Sequence, residues 1–266
     1  MSILRNIMMT LAYDGTNYHG FQKQNGTALK TVQQELETAL SILAQEEITV
    51  YGSGRTDAGV HAEGQVINFH TSSRIPAERL PLAVNSLLPR DIVAIDARDA
   101  AEDFHARYSA KRKTYRYTIY NAPYFSPFWR YYAYHVPGNL AAEKMTKAAE
   151  KFIGVHDFHA FCAKDTAVTD FTRTIFSCRA EKQGPLLVLR VKGDGFLYNM
   201  VRIMAGTLLE VGQNKREPDS IDYLLASGER KQAGMTLPPQ GLCLYAVEYG
   251  DHKAQVVDRP DRPDSI

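Results

Sequence analysis

The first hydrophobic pattern along the chain has a period of two. Between Asn6 and Tyr13, the apolar Ile7, Met9, Leu11 and Tyr13 share one face, which predicts a strand, and Asp14-Gly15 breaks it. Thr31-Val32-Gln33-Gln34 has the form of a capping box. Val32, Leu36, Ala39, Leu40 and Leu43 then recur at helical spacing, so a helix with a core-facing stripe is expected to about Ala44. Residues 48–51 and 65–71 read as strands on either side of a glycine-punctuated stretch. Pro76 opens a helix carrying Leu80, Ala83, Val84 and Leu87, and Pro89 closes it. Strands are expected over 92–97 and 112–121.

The order β, α, β, β, α, β recurs in the later half. Residues 131–136 read as a strand, and Asn139 as the cap of a helix carrying Ala141, Met145, Ala148, Ala149 and Phe152, with Gly154 ending it. Residues 172–180 and 186–192 form a hairpin across Gly184-Pro185. A helix that is apolar nearly all round covers 199–211, a second covers 218–226, and a strand covers 242–249. Two halves of similar order without an amino-acid repeat predict an α+β protein of two lobes, sharing or apposing antiparallel sheets, with an interlobe active-site cleft. The expected division is 1–108 for an N-terminal lobe carrying the glycine-rich stretch, 109–250 for a C-terminal lobe, and 251–266 for a polar, disordered tail containing Pro260 and Pro263. Residues 122–137, rich in proline and aromatics, read as a packed connection.

Composition narrows the class. A chain of 266 residues with 44% apolar content can bury a sizeable core. Cys162, Cys178 and Cys243 have no paired spacing, which argues against a disulfide framework. No apolar run approaches ~18 residues and the chain begins Met-Ser-Ile-Leu-Arg, so the expectation is a cytoplasmic protein without a membrane partner. Net charge is only +1, but its distribution changes the picture. From Phe104 to Asn121 there are five basic residues, Arg107, Lys111, Arg112, Lys113 and Arg116, interleaved with Tyr108, Tyr115, Tyr117 and Tyr120 and with no acid. Cations hold phosphates and rings accept bases, so this stripe suits a nucleic acid; its alternative is a solvated strand edge.

The glycine-punctuated stretch is Gly52-Ser53-Gly54-Arg55-Thr56-Asp57-Ala58-Gly59-Val60-His61-Ala62. Three glycines within eight positions suggest a shaped concavity, and Asp57 is the only acid between Glu47 and Glu63. Competing chemistries lack their residues. No Gly-Lys-Ser/Thr follows for a nucleotide loop. His61-Ala62-Glu63 matches half of a zinc-deaminase motif, but no Pro-Cys-x-x-Cys exists to complete it. Ser53 lies in Gly-Ser-Gly and not in a nucleophile elbow. Asp57 remains the candidate for chemistry, against the plainer alternative of a turn in which it caps the next element.

The stretch GSGRTDAGVHA resembles the catalytic loop of the tRNA pseudouridine synthases of the TruA family. The likeness extends to YDGTNYHGFQKQ from Tyr13, TVQQELETAL from Thr31, GQVINF from Gly64, FHARYSAKRKTYRY from Phe104, GVHDFHAF from Gly154, FLYNMVRIMAGTLLEVG from Phe196 and GLCLYAV from Gly241. Phe21 departs from the tryptophan more usual there and keeps an aromatic ring. The resemblance implies a cofactor-free isomerase that converts uridine to pseudouridine in tRNA, at positions 38, 39 and 40 of the anticodon arm. It also implies a pseudo-symmetric pair of ferredoxin-like lobes and a homodimer.

By that resemblance Asp57 is the nucleophile and Tyr115 contacts the substrate; Arg55 and Arg202 are the further catalytic candidates, and Leu242 a further candidate for substrate contact. The residues alone leave open whether Asp57 attacks ribose C1′, attacks the base, or takes the C2′ proton. A strand over 112–121 sends Tyr115 and Tyr117 to one face and Arg116 to the other. Tyr115 is the ring expected over a flipped uracil, and Tyr117 is expected in the core. Arg202 lies on a helix that reads as buried, where a guanidinium needs a partner, and Glu210 is eight positions away. Arg202 is therefore expected to cross the cleft to Asp57, the alternative being an arginine that snorkels to solvent. A non-catalytic RNA-binding protein using the same basic cleft is the competing function; it has no use for a carboxylate facing phosphates.

Overall fold

The computed structural model describes residues 4–24, 26–163 and 168–250, and the backbone alone at 252–253. Alternation in the first segment yields β1 (Arg5–Tyr13), as expected. Thr31 caps α1 (Val32–Ala44), its hydroxyl accepting from the Gln34 N–H at 3.4 Å, and Val32, Leu36, Ala39 and Leu40 are buried along one stripe. The strand expected over 48–51 contracts to β2 (Tyr51–Gly52). Helix α1 takes the donors that a longer strand would need. The Ile48 N–H donates to Ser41 Oγ at 3.0 Å and the Val50 N–H to Glu37 Oε1 at 3.2 Å. By contrast β3 (His61–Thr71) begins four residues before the expected start.

Pro76 precedes a single 3-10 turn, and α2 (Leu80–Asn85) follows with Pro81 in its first turn, ending short of Pro89. β4 (Ile92–Ala100) and β5 (Arg112–Tyr120) match their patterns. The strand expected over 131–136 is reduced to β6 (Tyr134–His135), because Trp129 O accepts from both Tyr132 N–H and Ala133 N–H and curls the chain into turns. α3 (Ala142–Glu150) starts after Ala141 and not at Asn139, since the Ala141 N–H is taken by Gly212 O at 2.8 Å. Gly154, at φ +124°, does not end that helix; it opens β7 (Gly154–Asp157), which the pattern did not predict. β8 (Thr172–Gln183) and β9 (Leu186–Gly193) form the expected hairpin. α4 (Met200–Gly212), α5 (Ser220–Ser227) and β10 (Leu242–Tyr249) follow, and β11 (His252–Lys253) pairs back on β10.

The protein is therefore α+β, and its chain groups into two compact units. In the first, which runs to Lys111 and takes in the chain from Leu244, strands lie in the order β4-β1-β3-β10, with β2 on β3. β1 pairs antiparallel with both β3 and β4, and its face of Ile7, Met9 and Leu11 is fully buried. The second unit, Arg112–Cys243, has the order β5-β9-β8-β7, antiparallel throughout, with β6 parallel on β5. Its core lies between β5-β9-β8 and the helices α3 and α4, which approach so closely that a side chain at Gly212 would strike Met145 Sδ.

The sequence reading ran the second lobe on to 250, whereas most of β10 groups with the first unit. Tyr249 OH donates to Ala106 O at 2.7 Å, the Lys111 N–H donates to Glu248 O at 2.8 Å, and Gly64 packs against Tyr245 O. The expected tail over 251–266 lies outside the described residues except for the backbone of β11.

Candidate active site

Residues 53–60 join β2 to β3 in the first unit and carry Asp57. The sequence supplies fixed hydrogen bonds along this loop. At its entry the Ser53 N–H donates to Val66 O at 2.7 Å and the Ser53 hydroxyl to Gln65 Oε1 at 2.6 Å; Gln65 Nε2 in turn donates to Gly54 O at 2.9 Å. Midway, Tyr13 OH and Thr56 Oγ1 share a buried hydrogen bond of 2.7 Å, and the Phe21 N–H donates to Thr56 O at 3.0 Å. Thr56 is thus anchored by both side chain and backbone, with Arg55 exposed and Asp57 half-buried on either side of it. Hydrogen-bonded anchoring of the backbone beside Asp57 restricts where its side chain can point.

At the loop's exit the Gly59 N–H donates to Tyr18 O and the Val60 N–H to Asp57 O. His61 Nδ1 accepts from the Gly15 N–H at 3.0 Å. That nitrogen also lies 3.2 Å from Asp14 Oδ1, but an atom that accepts an N–H has no proton to give a carboxylate, so the approach is a contact and not an ion pair. Asp14 Oδ1 is instead satisfied by the N–H and hydroxyl of Thr16. Gly15 is required here by closeness alone: a Cβ would sit 2.0 Å from Val60 O. Phe21 packs its ring on Gly52 and lies 6.3 Å from the Tyr13 ring.

Sequence reasoning missed the anchors Tyr13, Thr56 and Gln65. Tyr13 carried a signal, since it ends an otherwise apolar face and a buried phenol needs a partner for its hydroxyl. Also in this unit, exposed Arg107 places its guanidinium 5.8 Å from the Tyr108 ring, and the Lys111 side chain is exposed.

In the second unit, β5 arranges the other candidates by alternation. Lys113, Tyr115 and Tyr117 share one face, and Arg112 and Arg116 the other. Tyr115 is buried, edge-on to Phe196 at 5.1 Å. Tyr117 is fully buried, and its hydroxyl donates to Pro238 O at 2.8 Å, so it is the core residue expected. Burial pushes the Tyr117 phenol well above its ordinary range, while the nearby Arg202 charge pulls the other way.

Arg202 emerges from α4, whose residues are otherwise almost all buried. Its Nε donates to Leu237 O and its Nη1 to Asn199 Oδ1, each at 2.7 Å, and Asn199 holds the left-handed backbone that starts the helix. The Leu237-Pro238 carbonyls therefore tie Arg202 and Tyr117 to one segment. Glu210 is engaged by Arg216 at 2.9 Å. Leu242 is buried at the start of β10.

Cys162, Cys178 and Cys243 are free thiols, all buried, and burial raises the first two above the ordinary thiol range. Among the described residues no cluster of three or more His, Cys, Asp or Glu is placed to hold a metal ion, and no helix is long and apolar enough to cross a membrane.

Known proteins resemble this chain across both units. A family model described as tRNA pseudouridine synthase matches residues 9–109 and 148–250. The tRNA pseudouridine synthase A of Moorella thermoacetica is 51% identical over 243 residues, covering 91% of this chain and 99% of its own. That of Thermoanaerobacter pseudethanolicus is 47% identical over 246 residues, covering 92% and 100%. That of Bacillus pumilus is 48% identical over 245 residues, covering 91% and 98%.

Proposed function

The chain belongs to the tRNA pseudouridine synthase family, and from that membership we propose that Asp57 is the group with which it isomerises uridine in tRNA. The reaction breaks the bond from ribose C1′ to uracil N1, turns the base within the site and joins C1′ to C5. N1 gains a proton and C5 loses one, so atoms balance without a redox partner, and no cofactor is called for. The carboxylate serves as nucleophile, towards C1′ or the base, or as base towards the C2′ proton. Each route needs it ionised beside a base taken out of its stack. What supports this assignment most directly is the loop itself: its one carboxylate is half-buried beside Thr56, which Tyr13 and Phe21 hold from two directions.

In this reading Arg55 and Arg202 act with Asp57, Arg202 as its counter-charge, and the Tyr115 ring covers the flipped uracil with Leu242 beside it. Stacking of a base on an aromatic is worth about 1 to 3 kcal/mol, enough to help hold a base that has lost its neighbours. Arg107, Lys111, Arg112, Lys113 and Arg116 hold phosphates. We place the fold among pseudo-symmetric pairs of ferredoxin-like lobes with the reaction in the cleft between them. The substrate is the anticodon arm, taken by a homodimer in the cytoplasm.

Incubation with tRNA carrying tritium at uridine C5 tests the reaction. Release of tritium with pseudouridine appearing in the digested product is expected; tRNA binding without release would leave an RNA-binding protein in its place.

A further inference from the structure

Strand pairing in the second unit aligns arginines across three neighbouring strands. Arg116 on β5 lies opposite Arg190 on β9, and Arg190 lies opposite Arg179 on β8. Residues directly opposite one another in antiparallel strands project to the same side of the sheet, so the three guanidiniums form a row across it. The next row holds Thr114, Lys192 and Ser177 in the same register, and two further residues along β5 is Arg112, whose guanidinium lies 4.6 Å over the Phe176 ring. This is the side away from Tyr115, Tyr117 and the core beneath them. Towards its other end the same face is closed over, with Trp129 stacked on Tyr120 at 6.5 Å.

Five cations thus share one face of three strands. The only acid among the strand residues on that side is Glu181, which meets Arg190 at 3.8 Å with the two side chains 48% and 41% exposed. Like charges set directly opposite each other in neighbouring strands repel one another. Such a row acquires a favourable counterpart when a chain of regularly spaced anions crosses it.

Resting on the reading that tRNA is the substrate, we propose that this face, built on Arg116, Arg179, Arg190 and Lys192, is a surface that binds the phosphate backbone of tRNA, in addition to the residues assigned above to base and reaction. Arginine suits the task because its planar fork meets two phosphate oxygens at once, and the Arg112–Phe176 pair adds a stacking surface at the edge.

The test uses the full chain and unmodified tRNA, measuring affinity between low and moderate salt. Each phosphate contact contributes about 0.7 to 0.9 to the slope of log affinity against log salt, so Arg179→Ala with Arg190→Ala should flatten it by about 1.4 to 1.8 and weaken binding several-fold. Arg179→Lys with Arg190→Lys should restore most of the slope, and Glu181→Gln should tighten binding. Thermal melting checks that the exposed substitutions leave the fold intact; should the double variant not fold, Arg179→Gln alone should still flatten the slope by about 0.7 to 0.9. A folded alanine variant with unchanged slope and affinity would reduce the row to a solvated face and overturn the proposal. Failure of the reading beneath it looks different: the unaltered protein would release no tritium from C5-labelled tRNA, whatever its salt dependence.

Discussion

Asp57 stands out as a candidate in the sequence because of its isolation, one carboxylate among glycines with no competing set of reactive residues in reach along the chain. Its anchors were not legible, because they come from 43 and 12 positions away: Tyr13 to Thr56, and Gln65 to Ser53. Pairs at such separations have no local signature; only folding reveals that the polar tip of Tyr13 points at the loop. Two outcomes follow at this scale. Asp57→Asn should abolish tritium release while tRNA affinity stays within a few-fold, since shape is kept and the reacting group is lost; substantial residual turnover would show that another group reacts. Tyr13→Phe removes only the hydroxyl that holds Thr56, so kcat should fall by roughly tenfold with KM little changed and the melting temperature lowered by a few degrees. Equal loss in both constants, or none in kcat, would make Tyr13 a packing residue.

Among the elements, those with a strong period appeared where the pattern put them: β1, α1, the β8–β9 hairpin, α4 and β10. The misplacements arise where backbone groups are claimed otherwise than the pattern foresees, by distant partners at Val50 (Glu37) and Ala141 (Gly212), and by a local turn at Trp129 O, which accepts from Tyr132 N–H and Ala133 N–H. Helix α4 shows how far packing constrains an element. A methyl at Gly206 would lie 1.9 Å from Met235 O, a backbone atom that cannot step aside. Gly206→Ala should therefore destabilise the protein by about 3 kcal/mol in denaturant titration, and a shift of α4 should carry Arg202 with it.

Glu46, just beyond α1, gives a pH-dependent outcome at the same scale. It accepts from the Thr71 hydroxyl, from Ser72 N–H and from Ser72 Oγ, the last two at 2.8 Å, and these bonds hold its carboxyl below the usual carboxylate range, Thr71 foremost. A value depressed in the folded state gives stability that is present above the unfolded value of about 4.3 and is lost as pH falls through the folded value. Glu46→Gln should then cost about 1 kcal/mol at neutral pH, solvent screening keeping it small, and nothing in strong acid. A cost independent of pH would mean that the carboxylate's charge plays no part.

At the scale of the whole molecule, a net charge of +1 conceals an uneven distribution that the sequence showed only in part. The stripe from Arg107 to Arg116 was visible because it is continuous in the chain; the row of Arg116, Arg190 and Arg179 was not, because strand register assembles it. The grouping of most of β10 with the first unit had no counterpart in the pattern. In the proposed chemistry Asp57 depends on Arg202 as its counter-charge.

Arg202 is where that dependence can be measured. Two of its nitrogens are fixed by Leu237 O and Asn199 Oδ1, a fork geometry that a lysine ammonium cannot reproduce. Arg202→Lys should lower turnover at least tenfold while the protein stays folded and binds tRNA. If Arg202 serves the reaction through Asp57, the two act as a unit, and adding Arg202→Lys to Asp57→Asn should cost nothing beyond the loss already caused by Asp57→Asn. Losses in tRNA affinity that simply add across the two substitutions, with turnover of the single Arg202→Lys variant preserved, would instead assign Arg202 to holding Leu237 and the start of α4.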